Sequence, residues 1–557
     1  MIALPTGYRQ RCNQVRSALD VVRGQHLPVW YDLADYILPM RTRFLLSDKN
    51  RGDRRSLKIV DGSPVQAVRT LKAGMMSGLT SPARPWFTLT TPDPDLADYG
   101  PVKDYLFITA QRMRDLMLKS NLYARLPLVY QDLGVFGTAC LTCEEDAEDH
   151  LRFRHLPLGT YWIATDERER VDTLIRETTM TARQLARKFG KEKLSPQTQG
   201  FIDSGNGETE VAVIQHITRH EDVKPGKPGP EGMAWLAVWY ELAAPDADIL
   251  GVEGFNEFPG FCPRWERTGD DVWGFGPGLE AIGDVKALMA YETKAAKGLD
   301  KEIDPPLMGP ASMRQQKVSL LPGDVTWLPD AAMAAGGLKP IHQSQFRVDL
   351  AEGKSAQIRT RISRAFFEDL FLMLANSDRR QITAREIEER HQEKLLALGP
   401  VLEGLNDELL DPLIDRVYAI ANRRGLLPPP PQELQGIELK VEYTSVMAAA
   451  QRSVNLGSTR TFLYFVADAV KIAGPGVLDK VNIDEAIDEV GDQLLVNPRL
   501  IVPTDEANQR RAARAKIQQQ AAQLQAAQVQ TTMAKDLAQI PADEDNALTR
   551  LTETTAV

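Results

Sequence analysis

One short pattern in the sequence has the residue types and spacing of a metal site. Cys140 and Cys143 form a Cys-x-x-Cys pair within 137–145, a segment rich in strand-forming residues. A structural zinc ion needs four ligands, so this pair would need a second pair or two suitably spaced histidines. His150 and His155 follow, but they lack that spacing. The sequence therefore favours two semi-buried thiols over a zinc site.

A histidine pair and an apparent phosphate loop are also incomplete. His216 and His220 lie four residues apart, but no glutamate follows His216 as a zinc protease requires, so we interpret them as surface or packing histidines. Gly353-Lys354-Ser355 looks like the end of a phosphate-binding loop, but valine occupies position 348, where the loop needs glycine. The glycines of 274–278 lack the dinucleotide spacing, and Pro277 has no amide donor.

No other motif supports catalysis. Carboxylates are grouped at Glu144–Asp146 and Glu386–Glu389, but both groups lie in charge-rich stretches that indicate a solvated surface. The sequence contains no Gly-x-Ser-x-Gly motif of the kind that presents a nucleophilic serine. We therefore predict a protein that is not an enzyme, with no catalytic residues, no metal and no cofactor.

Composition excludes several further classes. The 557 residues are 43% hydrophobic and 25% charged, which are ordinary values for globular proteins. Four cysteines are too few for a disulfide framework, and neither a signal peptide nor an apolar membrane span is present, so we expect a reducing cytoplasm and no membrane. A formal charge of −10 disfavours a protein that grips DNA, but not one that lets DNA slide past it.

Residues 1–275 are predicted to mix helices and strands, because helical spacing of apolar residues alternates with β-branched and aromatic stretches. The predicted helices lie near 9–23, 63–79, 102–119 and 122–136. The predicted strands are 137–145, 170–180, 209–218 and 233–242.

The middle of the chain predicts a helical hairpin. Residues 278–301 form one predicted helix, and 346–374 form a second with an apolar stripe. Between them, 303–343 is rich in proline and poor in helix signals, which indicates a small domain at the tip of the hairpin.

The last third is predicted to be mainly helical. Apolar residues recur every three or four positions over 384–424, with kinks or breaks expected at Pro400 and Pro412. A strand at 437–444 and further helix over 446–500 follow. Beyond Thr504 the chain is rich in alanine and glutamine, which predicts a lone helix or disorder.

Several stretches, in the same order, resemble the head-to-tail connecting proteins, or portals, of podovirus-type bacteriophages. The resemblance covers about residues 26–500, and no single stretch is diagnostic. The stretches are Trp30, Asp35–Pro39, Leu79–Phe87, Ser120–Tyr123, Asp132–Ala139, Pro263–Trp265, Trp273–Gly276 and Thr383–Arg390.

The resemblance implies an α+β fold of the portal type, which in this family assembles into a dodecameric ring. The implied regions are an α/β wing (1–275), stem helix 1 (276–302), a clip (303–343), stem helix 2 (344–374), a tunnel loop (375–383), a wing-crossing helix with a returning strand (384–445), a mainly helical crown (446–503) and a C-terminal tail (504–557).

The function implied by the resemblance is a portal subunit at one capsid vertex, through which double-stranded DNA is packaged and ejected. The implied partners are other copies of the chain, terminase, a tail adaptor, capsid and scaffolding proteins. The protein would reside in the virion, and in the host cytoplasm during assembly. Alternatives are another structural virion part, such as a tail adaptor, and the packaging ATPase, which the incomplete phosphate loop disfavours.

Two sets of polar residues become candidate contact sites under this resemblance. The first would line the DNA channel, where a few basic groups offset an otherwise acidic lumen, although its lysines could equally form salt bridges between subunits. It comprises Asn376, Ser377, Asp378, Arg379, Arg380, Gln381, Lys294, Lys297 and Lys301. The second would be the docking surface of the clip, comprising Arg314, Gln315, Gln316 and Lys317.

Overall fold

The computed structural model describes most of the chain, in two compact units. The first unit is Met1–Thr90, Tyr105–Pro430 and Glu438–Asn455, and the second is Thr91–Asp104, Pro431–Ile437 and Leu456–Val557. The described residues are 7–46, 50, 52–53, 55–93, 96–97, 99–244, 249–309, 311, 314, 330, 334, 339–340, 347–376, 398–434, 436–437, 439–444, 465–471, 474, 481–484, 502 and 504–538.

Helices and strands are mixed along the chain, which confirms the predicted α+β class. The helices are α1 (Tyr8–Tyr36), α2 (Thr42–Leu45), α3 (Ser63–Leu79), α4 (Gly100–Lys119), α5 (Leu122–Phe136), α6 (Ala182–Phe189), α7 (Pro196–Asp203), α8 (Pro277–Ile303), α9 (Val348–Ala365), α10 (Glu368–Asn376), α11 (Asp411–Arg423) and α12 (Thr504–Ala538). None of the described helices is long and apolar enough to cross a membrane.

The strands form antiparallel sheets. They are β1 (Phe87–Thr90), β2 (Cys140–Asp146), β3 (His150–Leu156), β4 (Tyr161–Thr165), β5 (Val171–Thr181), β6 (Glu210–Arg219), β7 (Trp235–Glu241), β8 (Gly251–Phe255), β9 (Gly260–Phe261), β10 (Leu307–Met308), β11 (Lys339–Pro340) and β12 (Lys440–Tyr443). One sheet has the order β4-β5-β6-β7-β8 and another β3-β2-β9, while β1 pairs with β12 and β10 with β11.

The five-stranded sheet is covered on both faces. Side chains alternate between the faces of a strand, so each strand supplies residues to both layers. On one face, Cys12 and Leu19 of α1 pack against Trp162, Ile175 and Val238. On the other, the core is formed by Leu185, Leu194, Val213, Trp239 and Leu250, with α6 and α7 above it.

The structure confirms several predicted elements and corrects others. The helices at 63–79 and 122–136 have the predicted bounds, whereas α1 continues through Pro28 to Tyr36 instead of ending near residue 23. The predicted helix 346–374 is wrong as one element, because it breaks at Phe366–Phe367, where Phe367 has φ of 53°. Sequence periodicity missed the short strands β1, β4, β8 and β9, which offer too few residues to establish an alternation. It also missed β3, although its seven residues largely alternate in burial.

The two prolines of the 384–424 stretch differ in what the structure describes around them. Helix is described over 398–405, so Pro400 lies in its first described turn, and the kink or break expected there stays a prediction. Directly before Pro412 the helix widens into a π turn, Asn406–Leu410, and α11 then begins. Proline lacks the amide that would continue an α-helical ladder, which accounts for the irregular turn. Residues 384–397 lie outside the described part of the chain.

Near the C-terminus, α12 resolves the predicted choice between a lone helix and disorder for residues 504–538. Its 35 residues correspond to a length of about 52 Å at about 1.5 Å per residue. Its described side chains, between Ala507 and Thr531, are almost all exposed, including Ile517, Leu524 and Val529. Of the predicted helical segment 446–500, helix is described at 465–471, and most of the remainder lies outside the described residues.

Candidate functional site

The helical hairpin of α8 and α9 is the element that the resemblance marks for function. The helices are antiparallel, because Arg361 bonds to Asp284 at 2.7 Å and Arg359 bonds to Glu292 at 2.8 Å. Past their ends, β10 and β11 pair as a two-stranded ribbon. The chain from 309 to 338 emerges from that ribbon.

The two ends of the hairpin differ in burial. At the inner end, apolar side chains of both helices are buried, among them Val285, Leu288, Ile358 and Ile362. At the outer end, defined here as 291–308 and 339–354, no described residue is buried. The outer end nevertheless carries large apolar side chains, which are exposed: Tyr291, Leu299, Ile303, Leu307, Met308 and Leu350.

Ion pairs fasten the inner part of the hairpin to the preceding helices. Arg359 bridges Glu292 and Asp61, with its Nε 2.8 Å from the Asp61 carboxylate. Burial would raise the pKa of Asp61, but hydrogen bonds from Ser63 and Arg359 outweigh it and lower the pKa. Lys286 of α8 similarly pairs with Asp32 of α1 at 2.6 Å.

Close backbone approaches set the start of α8. A Cβ at Gly278 would lie 2.2 Å from the Val135 carbonyl oxygen, and one at Gly276 would lie 2.8 Å from that of Leu133. Gly137 has φ of 78° and touches the Phe275 backbone. The glycines of 274–278 thus allow close packing of the backbone where the chain enters α8.

Helix α10 carries the chain towards the predicted tunnel loop. It packs against α3 at Gly74, where a Cβ would lie 2.1 Å from the ring of Phe371. Glu368 accepts hydrogen bonds from Thr70 and Ser363, which hold the start of α10. The helix ends at Asn376, and Ser377–Gln381 lie outside the described residues.

The candidate lysines and the candidate docking residue are accessible. Lys294, Lys297 and Lys301 are exposed on the outer end of α8, and none of them makes an ion pair with another described residue. Arg314 is exposed as well, whereas Gln315, Gln316 and Lys317 lie outside the described part. The lysines are therefore available to a ligand or to a neighbouring subunit.

Sequence reasoning missed the buried charges behind β2. The Arg416 side chain is 2% exposed, and its Nε and Nη1 donate to the carbonyl oxygens of Cys143 and Glu257 at 2.9 and 2.8 Å. Arg264 pairs with Glu408, and its Nε is 3.1 Å from that carboxylate. The sequence contains no signal for either arginine, because charged residues lie beside both: Asp415 precedes Arg416, and Glu266 lies two residues after Arg264.

Asp132 is the centre of a second buried group. Its carboxylate is 2.9 Å from both Arg41 and the Nε2 atom of His155. His155 is therefore a packing partner of a carboxylate. Among the described residues, no three His, Cys, Asp or Glu side chains are placed to hold a metal ion.

Of the Cys-x-x-Cys and His-x-x-x-His pairs, three side chains are buried and the fourth, His220, is half-buried. Cys140 and Cys143 are fully buried, so the prediction of semi-buried thiols underestimated their burial. His216 is buried in the sheet, and the ring of the half-buried His220 lies 3.1 Å from the Met233 carbonyl oxygen. Both histidines are packing residues, as the sequence suggested.

Comparison with known proteins gives a consistent assignment. The family described as bacteriophage head to tail connecting protein matches residues 9–502. The chain is 42% identical over 523 residues to a portal protein of Salmonella phage epsilon15, and 39% identical over 525 residues to a probable portal protein of Bordetella phage BPP-1. Each alignment covers 94% of both chains. The chain therefore belongs to the family of bacteriophage head to tail connecting proteins.

Proposed function

We propose that the protein is a portal subunit, which forms a ring at one capsid vertex and provides the conduit for double-stranded DNA. The observation that carries the proposal is the similarity to portal proteins along 94% of the chain. A match of that length favours a portal over a tail adaptor or a packaging ATPase, since it includes 94% of each relative.

The outer end of the hairpin supports assembly with further copies. Ile303 and Leu350 are 74% and 59% exposed, and Tyr291, Leu299 and Met308 of the same outer end are exposed as well. Contiguous exposed apolar surface on a soluble protein marks an interaction site. A neighbouring copy would cover this surface, and repetition of one heterologous contact closes a ring.

The other regions of the portal family are assigned from the position of the hairpin in the chain. The hairpin would be the stem, and residues 303–343, which include the β10–β11 ribbon, would be the clip, which docks terminase and later the tail adaptor. Residues 375–383 would form the tunnel loop, because α10 leads directly into them. Residues 1–275 would form the wing and 446–503 the crown.

Charge gives the conduit its mechanism. Twelve copies of a chain with a formal charge of −10 would carry −120, which repels DNA phosphates from every side and reduces adhesion. Lys294, Lys297 and Lys301 would offset the repulsion locally, because they are exposed and unpaired among the described residues. Each such contact is weak and screened at physiological salt.

Negative-stain images and native mass spectrometry of the purified protein test the proposal. Rings with a central hole and a narrow stalk are expected, with a mass that is a multiple of the 62.0 kDa subunit. A stable monomer at micromolar concentration would contradict the proposal.

A second experiment separates the conduit from the ring. Arg379→Ala combined with Arg380→Ala should leave rings intact but change the packaging or retention of DNA. Replacement of 309–338 by a short Gly/Ser linker should leave rings intact and abolish packaging. Normal packaging by the arginine variant would remove the tunnel loop from the DNA path.

A further inference from the structure

Two cysteines that are distant in sequence are adjacent in the core. The Sγ atoms of Cys140 and Cys262 are 3.4 Å apart, although 122 residues separate them along the chain. Cys140 is fully buried and Cys262 is 3% exposed. Cys140 begins β2, and Cys262 directly follows β9, the two-residue strand at the edge of the same sheet.

The strand register places the two cysteines opposite each other. Leu141 pairs with Phe261, so Cys140 is the next residue across from Cys262. Hydrogen bonds join 139 to 263 and 143 to 259, which puts Cys140 at a non-hydrogen-bonded position. At such positions the Cα atoms are about 4.5 Å apart, within the range that disulfides accept. Side-chain rotation alone can therefore bring the sulfurs to bonding distance.

The Cys-x-x-Cys partner has no such geometry. Cys143 lies three residues after Cys140 on the same strand, so its side chain points to the opposite face of the sheet. It faces α11, where Arg416 bonds to its carbonyl oxygen. The spacing of the sequence motif thus suggests Cys143 as the partner of Cys140, whereas in the fold the adjacent thiol is that of Cys262.

We propose that Cys140 and Cys262 form a modification site, at which hydrogen peroxide converts the two thiols into a cross-strand disulfide. One thiolate attacks a peroxide oxygen, the O–O bond breaks, and the sulfur becomes a sulfenic acid while hydroxide leaves and is protonated to water. The second thiol attacks the sulfenic sulfur, forms the S–S bond and releases water. Two thiols and one peroxide molecule therefore give one disulfide and two water molecules.

Burial slows the oxidation of these thiols and restricts it to small neutral oxidants. Burial, with the neighbouring Cys262 thiol, raises the pKa of Cys140 well above its ordinary value, and Arg176 opposes this only in part. The thiol therefore remains protonated most of the time. A small neutral oxidant can reach it only when β9 and the residues that flank it separate locally from β2, because hydrogen bonds on both sides of β9, at Pro259 and Pro263, hold this segment in place.

The disulfide would join β2 to the segment that leads into α8. After Cys262, the chain passes through Arg264 and the Gly274–Gly278 turn and enters the hairpin. The chemistry of the pair does not depend on the proposed function. Only its timing does, because a virion that leaves a reducing cytoplasm meets more oxidising surroundings.

Thiol counting on the full-length protein tests the proposal. The folded protein is exposed to hydrogen peroxide, then unfolded and alkylated, and its intact mass is measured. Four reactive thiols per chain should fall to two, and a reductant should restore four. Peptide mapping should find the linked pair Cys140–Cys262, and the oxidised form should unfold at a higher temperature.

Two variants distinguish the pair from its neighbours. Cys262→Ala should block the cross-link, whereas Cys143→Ala should leave it intact, with three thiols falling to one. Persistence of all four thiols in the folded parent protein would overturn the proposal. So would sulfinic or sulfonic acids in place of the cross-link, or a cross-link that uses Cys12 or Cys143. Circular dichroism during oxidation verifies that the protein stays folded.

Discussion

The region behind β2 and the outer end of the hairpin differ in which side chains are buried and which are exposed. Behind β2, the charged groups of Arg416, Arg264 and Asp132 are buried, and each has partners from the same chain. At the outer end, apolar side chains such as Ile303 lie in solvent. A buried charge without partners costs several kcal/mol, whereas exposed apolar groups cost little until a partner is available. The first region pairs its charges within one chain, whereas the second leaves apolar surface that, on the proposed function, a neighbouring copy would cover.

The largest effect is expected from Arg416→Ala, which tests whether the region behind β2 depends on its own chain. The substitution leaves the Cys143 and Glu257 carbonyl oxygens without donors and opens a cavity. We expect a loss of about 4 kcal/mol in the free energy of unfolding, measured by chemical denaturation. Arg423→Ala is the matched control on the same helix. Its side chain is 33% exposed, so a loss below about 1 kcal/mol is expected.

The next largest effect is expected where α10, the helix that follows the hairpin, packs against α3. Gly74→Ala would place a Cβ 2.1 Å from the Phe371 ring and force α10 away from α3. We expect the free energy of unfolding to fall by about 3 kcal/mol, which thermal melting would show. Gly24→Ala, in open space on α1, should be neutral or stabilise by up to about 1 kcal/mol. Equal effects at both glycines would refute the close packing of α10.

A loss of stability at acidic pH is expected from His216 in the core of the five-stranded sheet. Burial lowers the pKa of His216 to about 4 from 6.5, so the folded protein keeps the ring neutral while the unfolded chain binds a proton below pH 6.5. Stability should therefore fall as pH drops from 6.5 towards 4, by about 2 kcal/mol at pH 5 relative to pH 7. His216→Leu should abolish this slope in denaturation curves, and His220→Leu should retain it. An unchanged slope in the His216 variant would show that other groups cause it.

The smallest effect on each subunit is expected at the outer end. Leu299→Gln with Ile303→Gln should leave subunit unfolding unchanged, because both side chains are exposed. Each subunit contact should weaken by about 1 kcal/mol, since less apolar area is buried on assembly. Sedimentation velocity at falling concentrations would show rings dissociating earlier than for the parent. Val21→Gln, an exposed valine on α1, is the control, and an equal shift there would remove the special role of the hairpin.

The strongly periodic elements were predictable from sequence. Helices such as 63–79 and 122–136 have an apolar spacing that predicts them from the sequence alone, and a proline in the first turn marks the start of the former. Short strands such as β1 and β9 were not predicted, because their pairing depends on distant segments, although β12, also four residues long, was predicted within 437–444. β1, for example, is defined by its pairing with β12, which lies about 350 residues later.

For the candidate site as well, part of the arrangement was predictable from the sequence and part was not. The sequence showed where the hairpin lies and that Lys294, Lys297 and Lys301 follow one helix. It could not show that the outer apolar residues stay exposed while Ile358 and Ile362 are buried, because both sets share the same periodicity. Burial is decided by which neighbours the rest of the fold supplies, and the resemblance alone suggested that the missing neighbour is another copy.

The sequence by itself determined the α+β class, the main helices and the family, because these depend on local periodicity and on ordered short motifs. Only the tertiary structure decided which polar groups meet. Cys140 has Cys262 for a neighbour and not Cys143, since the pleat of a strand turns residues three apart to opposite faces. His155 joins Asp132 and Arg41 for a similar reason. Contacts between distant segments follow strand register and helix packing, which one-dimensional spacing does not encode.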